Sequence, residues 1–158
     1  HDTGTFTAGV DLEARQRGFR YIPAHEILER AGATLAIPIG RRKLIPDQLF
    51  AIDYGGLFRA FMVEVDRGTE PIASPSARKS WRSALEQYHE AFRGGLPNRH
   101  YGLKAPVQVV WVHRTEARHA AFANRLGSIP EYSQGRHIST VVGWNFMPGT
   151  TISSVING

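Results

Sequence analysis

Three acids on neighbouring extended segments are the residues of this 158-residue sequence best placed to do chemistry: Asp47, which follows Pro46, and Glu64 and Asp66, which flank Val65. Side chains alternate between the faces of a strand, so Glu64 and Asp66 project together. Asp47 joins them if the reversal between the two segments is the four residues 54–57. That register puts Asp53 opposite Phe58 and Asp47 opposite Glu64, with side chains about 5 Å apart. A three-residue loop would instead send Glu64 to the other face. Carboxylates this close repel unless a proton, an Arg or a metal ion compensates them. Oxygen-only donors suit Mg²⁺ or Mn²⁺, with Asp47, Glu64 and Asp66 as ligands, and such an ion could hold a scissile phosphate and activate a water. The competing reading is a set of solvated strand ends paired with Arg41, Arg59 or Arg67, an arrangement far commoner than a metal site.

The elements that must position these acids follow from hydrophobic period and punctuation. Residues 44–53 and 57–66 are β-rich runs around Tyr54-Gly55-Gly56, whose glycines allow a tight reversal, so a β-hairpin is expected. Residues 5–16 read as a helix closed by Gly18, 19–22 as a short strand stopped by Pro23, and 24–30 as a helix ending at Gly32. Residues 33–39 read as a connector or edge strand, and Arg41-Arg42-Lys43 as a basic turn. Ser74-Pro75 opens a long helix with an apolar stripe of Ala77, Trp81, Ala84, Leu85, Tyr88 and Phe92, closed by Gly94-Gly95. Residues 106–113 form an apolar strand, 116–126 a helix closed by Gly127, and 136–144 a returning strand. The expected fold is α/β, a mixed sheet with a central β-hairpin flanked by helices, in a single domain over 1–158.

Composition excludes several classes. The sequence has no Cys, which removes disulfide scaffolds, thiolate metal centres and thiol catalysis. The longest apolar run, Val109 to Val112, is far short of a membrane span, so no membrane partner is expected and the cytoplasm is the expected location. The net charge of +5 is concentrated between residues 41 and 104, and sixteen of the nineteen cations are Arg, which suits DNA as the partner. Arg41, Arg42, Lys43, Arg67 and Arg78 are the expected phosphate contacts. The seven histidines show no zinc-ligand spacing, and no Gly-rich phosphate loop occurs. Trp81 and Tyr88, on the helix's apolar stripe, are read as core.

Pro46-Asp47 followed by Glu64-Val65-Asp66 resembles the PD-(D/E)xK nuclease core, the restriction-endonuclease-like sandwich, in which Asp and Glu bind the metal and a Lys two residues on orients the water. Here that Lys position is Asp66. More specifically, Leu44-Ile45-Pro46-Asp47, the stretch from Phe61 to Thr69, Leu85-Glu86-Gln87-Tyr88, and Pro106 to Val112 with Arg118 resemble the replication-relaxation family of plasmid and mobile-element proteins, over roughly residues 1–130. The resemblance implies DNA handling in plasmid replication, mobilisation or their control, often with a winged-helix segment ahead of the nuclease-like domain. The start at His1 accordingly raises the expectation of a fragment lacking an upstream DNA-binding segment. It does not imply cleavage, because an acid at the Lys position removes a cation needed at the phosphate. Lys79, or else Lys43, could supply the ammonium from a neighbouring element. Three readings follow: a DNA-binding or accessory protein; a Mg²⁺- or Mn²⁺-dependent endonuclease using Asp47, Glu64 and Asp66 with Lys79; and a protein-interaction module without nucleic-acid contact. A homo-oligomer or plasmid replication and mobilisation proteins are the expected protein partners.

Overall fold

A computed structural model describes residues 2–66, 68, 71–72, 74–129 and 135–141, with the backbone alone for Asp2, Ala77, Arg78 and Lys79. The fold is mixed α/β: a five-stranded sheet in the order β1 (Arg20–Pro23), β4 (Gln48–Asp53), β5 (Phe58–Val65), β6 (Val107–His113), β7 (His137–Val141) with helices on both faces, and a separate two-stranded ribbon of β2 (Ile37–Ile39) and β3 (Arg42–Leu44). The helices are α1 (Asp2–Gln16), α2 (Ala24–Ala31), α3 (Pro75–Arg93), α4 (Leu96–Tyr101) and α5 (Glu116–Leu126).

The expected hairpin sits inside the sheet. β4 and β5 pair antiparallel with Asp53 opposite Phe58, so the reversal is four residues long. Gly55 and Gly56 have φ of 97° and 103°, and Asp53 Oδ1 accepts from both of their N–H groups at 3.0 and 2.7 Å. β5 then pairs parallel with β6, and β6 parallel with β7, the crossovers carrying α3, α4 and α5. With helices over both faces, β6 is buried at every position, which is why it reads as an unbroken apolar run.

Alternation along the strands splits the core in two. Leu49, Ala51, Ala60, Met62, Val109 and Trp111 face α2, α3, α4 and α5, meeting Ile27, Trp81, Leu85, Tyr88, Tyr101 and Phe122. Phe50, Ile52, Phe61, Val63 and Val110 face Phe6, Val10 and Ala14 of α1. The α3 stripe from Trp81 to Phe92 is therefore core as expected, with Tyr88 0% exposed and Trp81 8%, while the side chain of Ala77 lies outside the described residues.

Three local expectations need correction. β4 begins at Gln48 rather than at 44, because Pro46 has no N–H and Leu44 instead pairs with Ile37 in the small ribbon. Arg42 and Lys43 are accordingly strand residues, and the turn is Gly40-Arg41. The glycine pair after α3 is followed by the short helix α4, entered through Gly95 at φ 66° with a Pro in its first turn. Residues 142–144 of the expected last strand lie outside the described residues. No described helix is long and apolar enough to cross a membrane.

Candidate functional site

The end of β5 carries two acidic sites of opposite character. The four-residue reversal brings Asp47 beside Glu64, as the register argument requires. The ladder is irregular at that point: Asp47 N–H donates to Val63 O at 2.8 Å, and its side-chain Oδ2 accepts from Val65 N–H at 2.8 Å. Asp47 thus serves as a side-chain substitute for a ladder carbonyl, which fixes its carboxylate against the strand. Tyr88, reaching down from α3, donates its hydroxyl to Glu64 Oε1 at 2.7 Å. Burial pushes the Glu64 carboxyl up to about 7; the Tyr88 hydrogen bond lowers it, and the adjacent Asp47 raises it again. Near neutral pH the pair therefore takes up a proton readily, and a cation placed there would substitute for that proton.

Two residues on, Asp66 is fully compensated. Its Oδ2 accepts from Arg118 Nε at 2.8 Å and from His113 Nδ1 at 2.9 Å, and its Oδ1 from Arg118 Nη2 at 3.1 Å and Gly68 N–H at 3.1 Å. Burial would raise this carboxyl, but the hydrogen bonds from His113, Arg118 and Gly68 outweigh it and hold the group well below the usual carboxylate range. An ionised carboxylate has about four acceptor positions, and all four are filled. Because the carboxylate can only accept, His113 carries its proton on Nδ1, and its buried Nε2 has no hydrogen-bond partner among the described residues, the ring lying against those of Trp81, Phe122 and His119. Arg118 packs 5.4 Å over the Trp81 ring and is presented by α5, whose N-cap, the Thr115 hydroxyl, accepts from Arg118 N–H.

The expected three-carboxylate cluster is therefore not assembled. Asp47 and Glu64 meet, whereas Asp66 lies on Arg118 and His113, and among the described residues no group of three or more His, Asp or Glu is arranged to hold a metal ion. At the strand end the structure describes an ion pair between Asp66 and Arg118. Arg41, Arg42 and Lys43 are exposed at the tip of the β2-β3 ribbon. Lys43 precedes Asp47 by four residues, so its backbone lies within about 14 Å of that acid even with the chain fully extended. Arg67 lies outside the described residues, as do the side chains of Arg78 and Lys79, whose backbones belong to the start of α3. Sequence reasoning missed the polar end of Tyr88 and the role of His113. The signal for Tyr88 was available, since a buried tyrosine hydroxyl needs a partner and the nearest acids end the adjoining strand.

The profile of the replication-relaxation family matches residues 4–107, a span that holds α1 through the start of β6 together with Asp47, Glu64, Asp66 and Tyr88. The chain belongs to the replication-relaxation family, which points to plasmid and mobile-element replication. No curated protein and no solved structure matches it.

Proposed function

We propose that this chain is a DNA-binding or accessory protein in the replication or mobilisation of plasmids and other mobile elements, built on a restriction-endonuclease-like scaffold and acting in the cytoplasm. The observation that carries this reading is the state of Asp66. It occupies the position of the nuclease lysine and is saturated by Arg118, His113 and Gly68, so Asp66 itself offers the phosphate neither an ammonium nor a free ligand oxygen. The exposed Arg41, Arg42 and Lys43 supply phosphate contacts, and Arg67 and Arg78 are the further cations read from the sequence for that role. Binding to plasmid DNA should weaken steeply with salt, and the Arg41→Ala, Arg42→Ala, Lys43→Ala triple variant should flatten the log Kd against log salt slope by about 2 to 3. An affinity unchanged between about 50 and 200 mM salt would support the protein-interaction reading instead.

A second reading is favoured by one feature: Glu64 is raised first by burial and further by repulsion from Asp47. A Mg²⁺ or Mn²⁺ ion held by these two carboxylates would relieve it, and with Lys79 as the cation at the phosphate the site would cleave DNA by a metal-activated water. Supercoiled plasmid incubated with either ion separates the two readings. Nicking lost in the Asp47→Ala, Glu64→Ala variant supports an endonuclease, and products identical for both proteins rule it out.

A further inference from the structure

A cavity of about 380 Å³ opens between α3 and α5, and none of the three acids lines it. Its walls are mostly apolar, with Leu85 from α3 and Ile129 just beyond α5, and Arg82, His89 and Arg125 also line it. His137, at the start of β7, completes the lining, and its Nδ1 accepts from Trp111 Nε1–H at 3.0 Å. Burial, with a smaller contribution from Arg136, holds His137 down to about 4, so the ring is neutral at pH 7. An indole N–H only donates, so the ring proton is on Nε2, which leaves that N–H as the donor His137 can offer to a ligand. Glu86 is the single acid among the lining residues, so guanidinium outnumbers carboxylate by two to one.

An apolar slot with one half-buried imidazole donor and two guanidinium groups matches a flat ring system that carries hydrogen-bond acceptors and an attached dianion. Guanidinium forks grip phosphate oxygens in pairs, and bases bind in apolar or aromatic slots whatever their sequence. The volume is at the low end of the roughly 300–1,000 Å³ range of ligand pockets, which suits one such unit.

We propose that this cavity binds a single deoxynucleotide unit, with its phosphate on Arg82 and Arg125, its base between Leu85 and Ile129, and a base acceptor on His137. The unit could be a free nucleotide or an unpaired nucleotide of DNA. Calorimetric titration of the chain with deoxyadenosine monophosphate should give saturable binding, with deoxyadenosine and inorganic phosphate each at least about tenfold weaker. An Arg82→Ala, Arg125→Ala variant should lose at least about tenfold, and so should Ile129→Trp, which fills the slot. Both should keep the circular dichroism melt of the parent. The Asp47→Ala, Glu64→Ala variant should bind the nucleotide unchanged, so failure here is distinct from failure of the reading above. Displacement of the nucleotide by an oligonucleotide with an unpaired adenine assigns the site to DNA, and retention assigns it to the free nucleotide. Absence of saturable binding, phosphate alone binding as tightly as the nucleotide, or indifference to both cavity variants would overturn the proposal.

Discussion

Glu64 and Asp66 share one strand end and one face of the sheet, yet their carboxyls are displaced in opposite directions. Both are withdrawn from water. Glu64 has a tyrosine hydroxyl and a second carboxylate for company, while Asp66 has a guanidinium, an imidazole N–H and a backbone N–H. Burial alone therefore does not set the charge of an acid in this fold; the donors and charges that the neighbouring strand, helix and loop bring to it do. The compensated acid is a structural tie between β5, β6 and α5. The uncompensated pair remains open to a proton or a cation, and its state can change near pH 7.

The largest effect that would break this contrast is expected from Arg118→Ala, which leaves Asp66 ionised and buried without its main partner. A loss of about 3 to 4 kcal/mol should appear in urea unfolding at pH 7. In the parent, the folded-state acidity of Asp66 lies below its unfolded value near 3.9, so its contribution is present above about pH 4 and declines as the pH falls further. That acid limb should be shallower in the variant.

Glu64→Gln should sharpen the contrast with the opposite sign. The Glu64 carboxyl is raised from about 4.5 to about 7, so the folded state takes up a proton between those values, and stability falls as the pH rises through them. The Gln side chain still accepts from Tyr88 and needs no proton. The variant should be more stable than the parent at pH 8 by up to about 3 kcal/mol, and its thermal melts should lack the decline between pH 4.5 and 7. A variant melting below the parent at pH 8 would show that Glu64 is compensated after all. The smallest effect is expected from Tyr88→Phe, which removes one hydrogen bond at a cost of about 1 kcal/mol and moves the Glu64 titration, followed by carboxyl NMR shifts, to higher pH.

Much of this was legible in the residues because it depends on local spacing. Tyr54-Gly55-Gly56 between two β-rich runs gives the hairpin; the meeting of Asp47 with Glu64 was legible only as one of two registers, and the four-residue reversal from Asp53 to Phe58 decides it. The stripe from Trp81 to Phe92 gives α3, and the unbroken apolar run of β6 gives its burial. The state of Asp66 was not legible. Its partners come from 47 and 52 residues further along, on elements brought together only by two parallel crossovers, and nothing local distinguishes Arg118 from the other fifteen arginines as the one that ends there. The small β2-β3 ribbon was obscured for the opposite reason. Three-residue strands containing Pro38 and two basic residues carry almost no periodicity, and the burial of Ile37 and Leu44 against the main core holds them in place.

The docking of α1 has a consequence for biosynthesis. Phe6, Val10 and Ala14 share their core cluster with residues of β4, β5 and β6, as far along as Val112. A nascent chain carries this segment for about a hundred further residues before its seat exists, and at synthesis rates of about 5–20 residues per second that is about 5 to 20 seconds. Throughout that interval the three apolar side chains are open to chaperones or to neighbouring chains. Codon changes that slow the ribosome between β5 and β6 should therefore lower soluble yield without altering the finished protein.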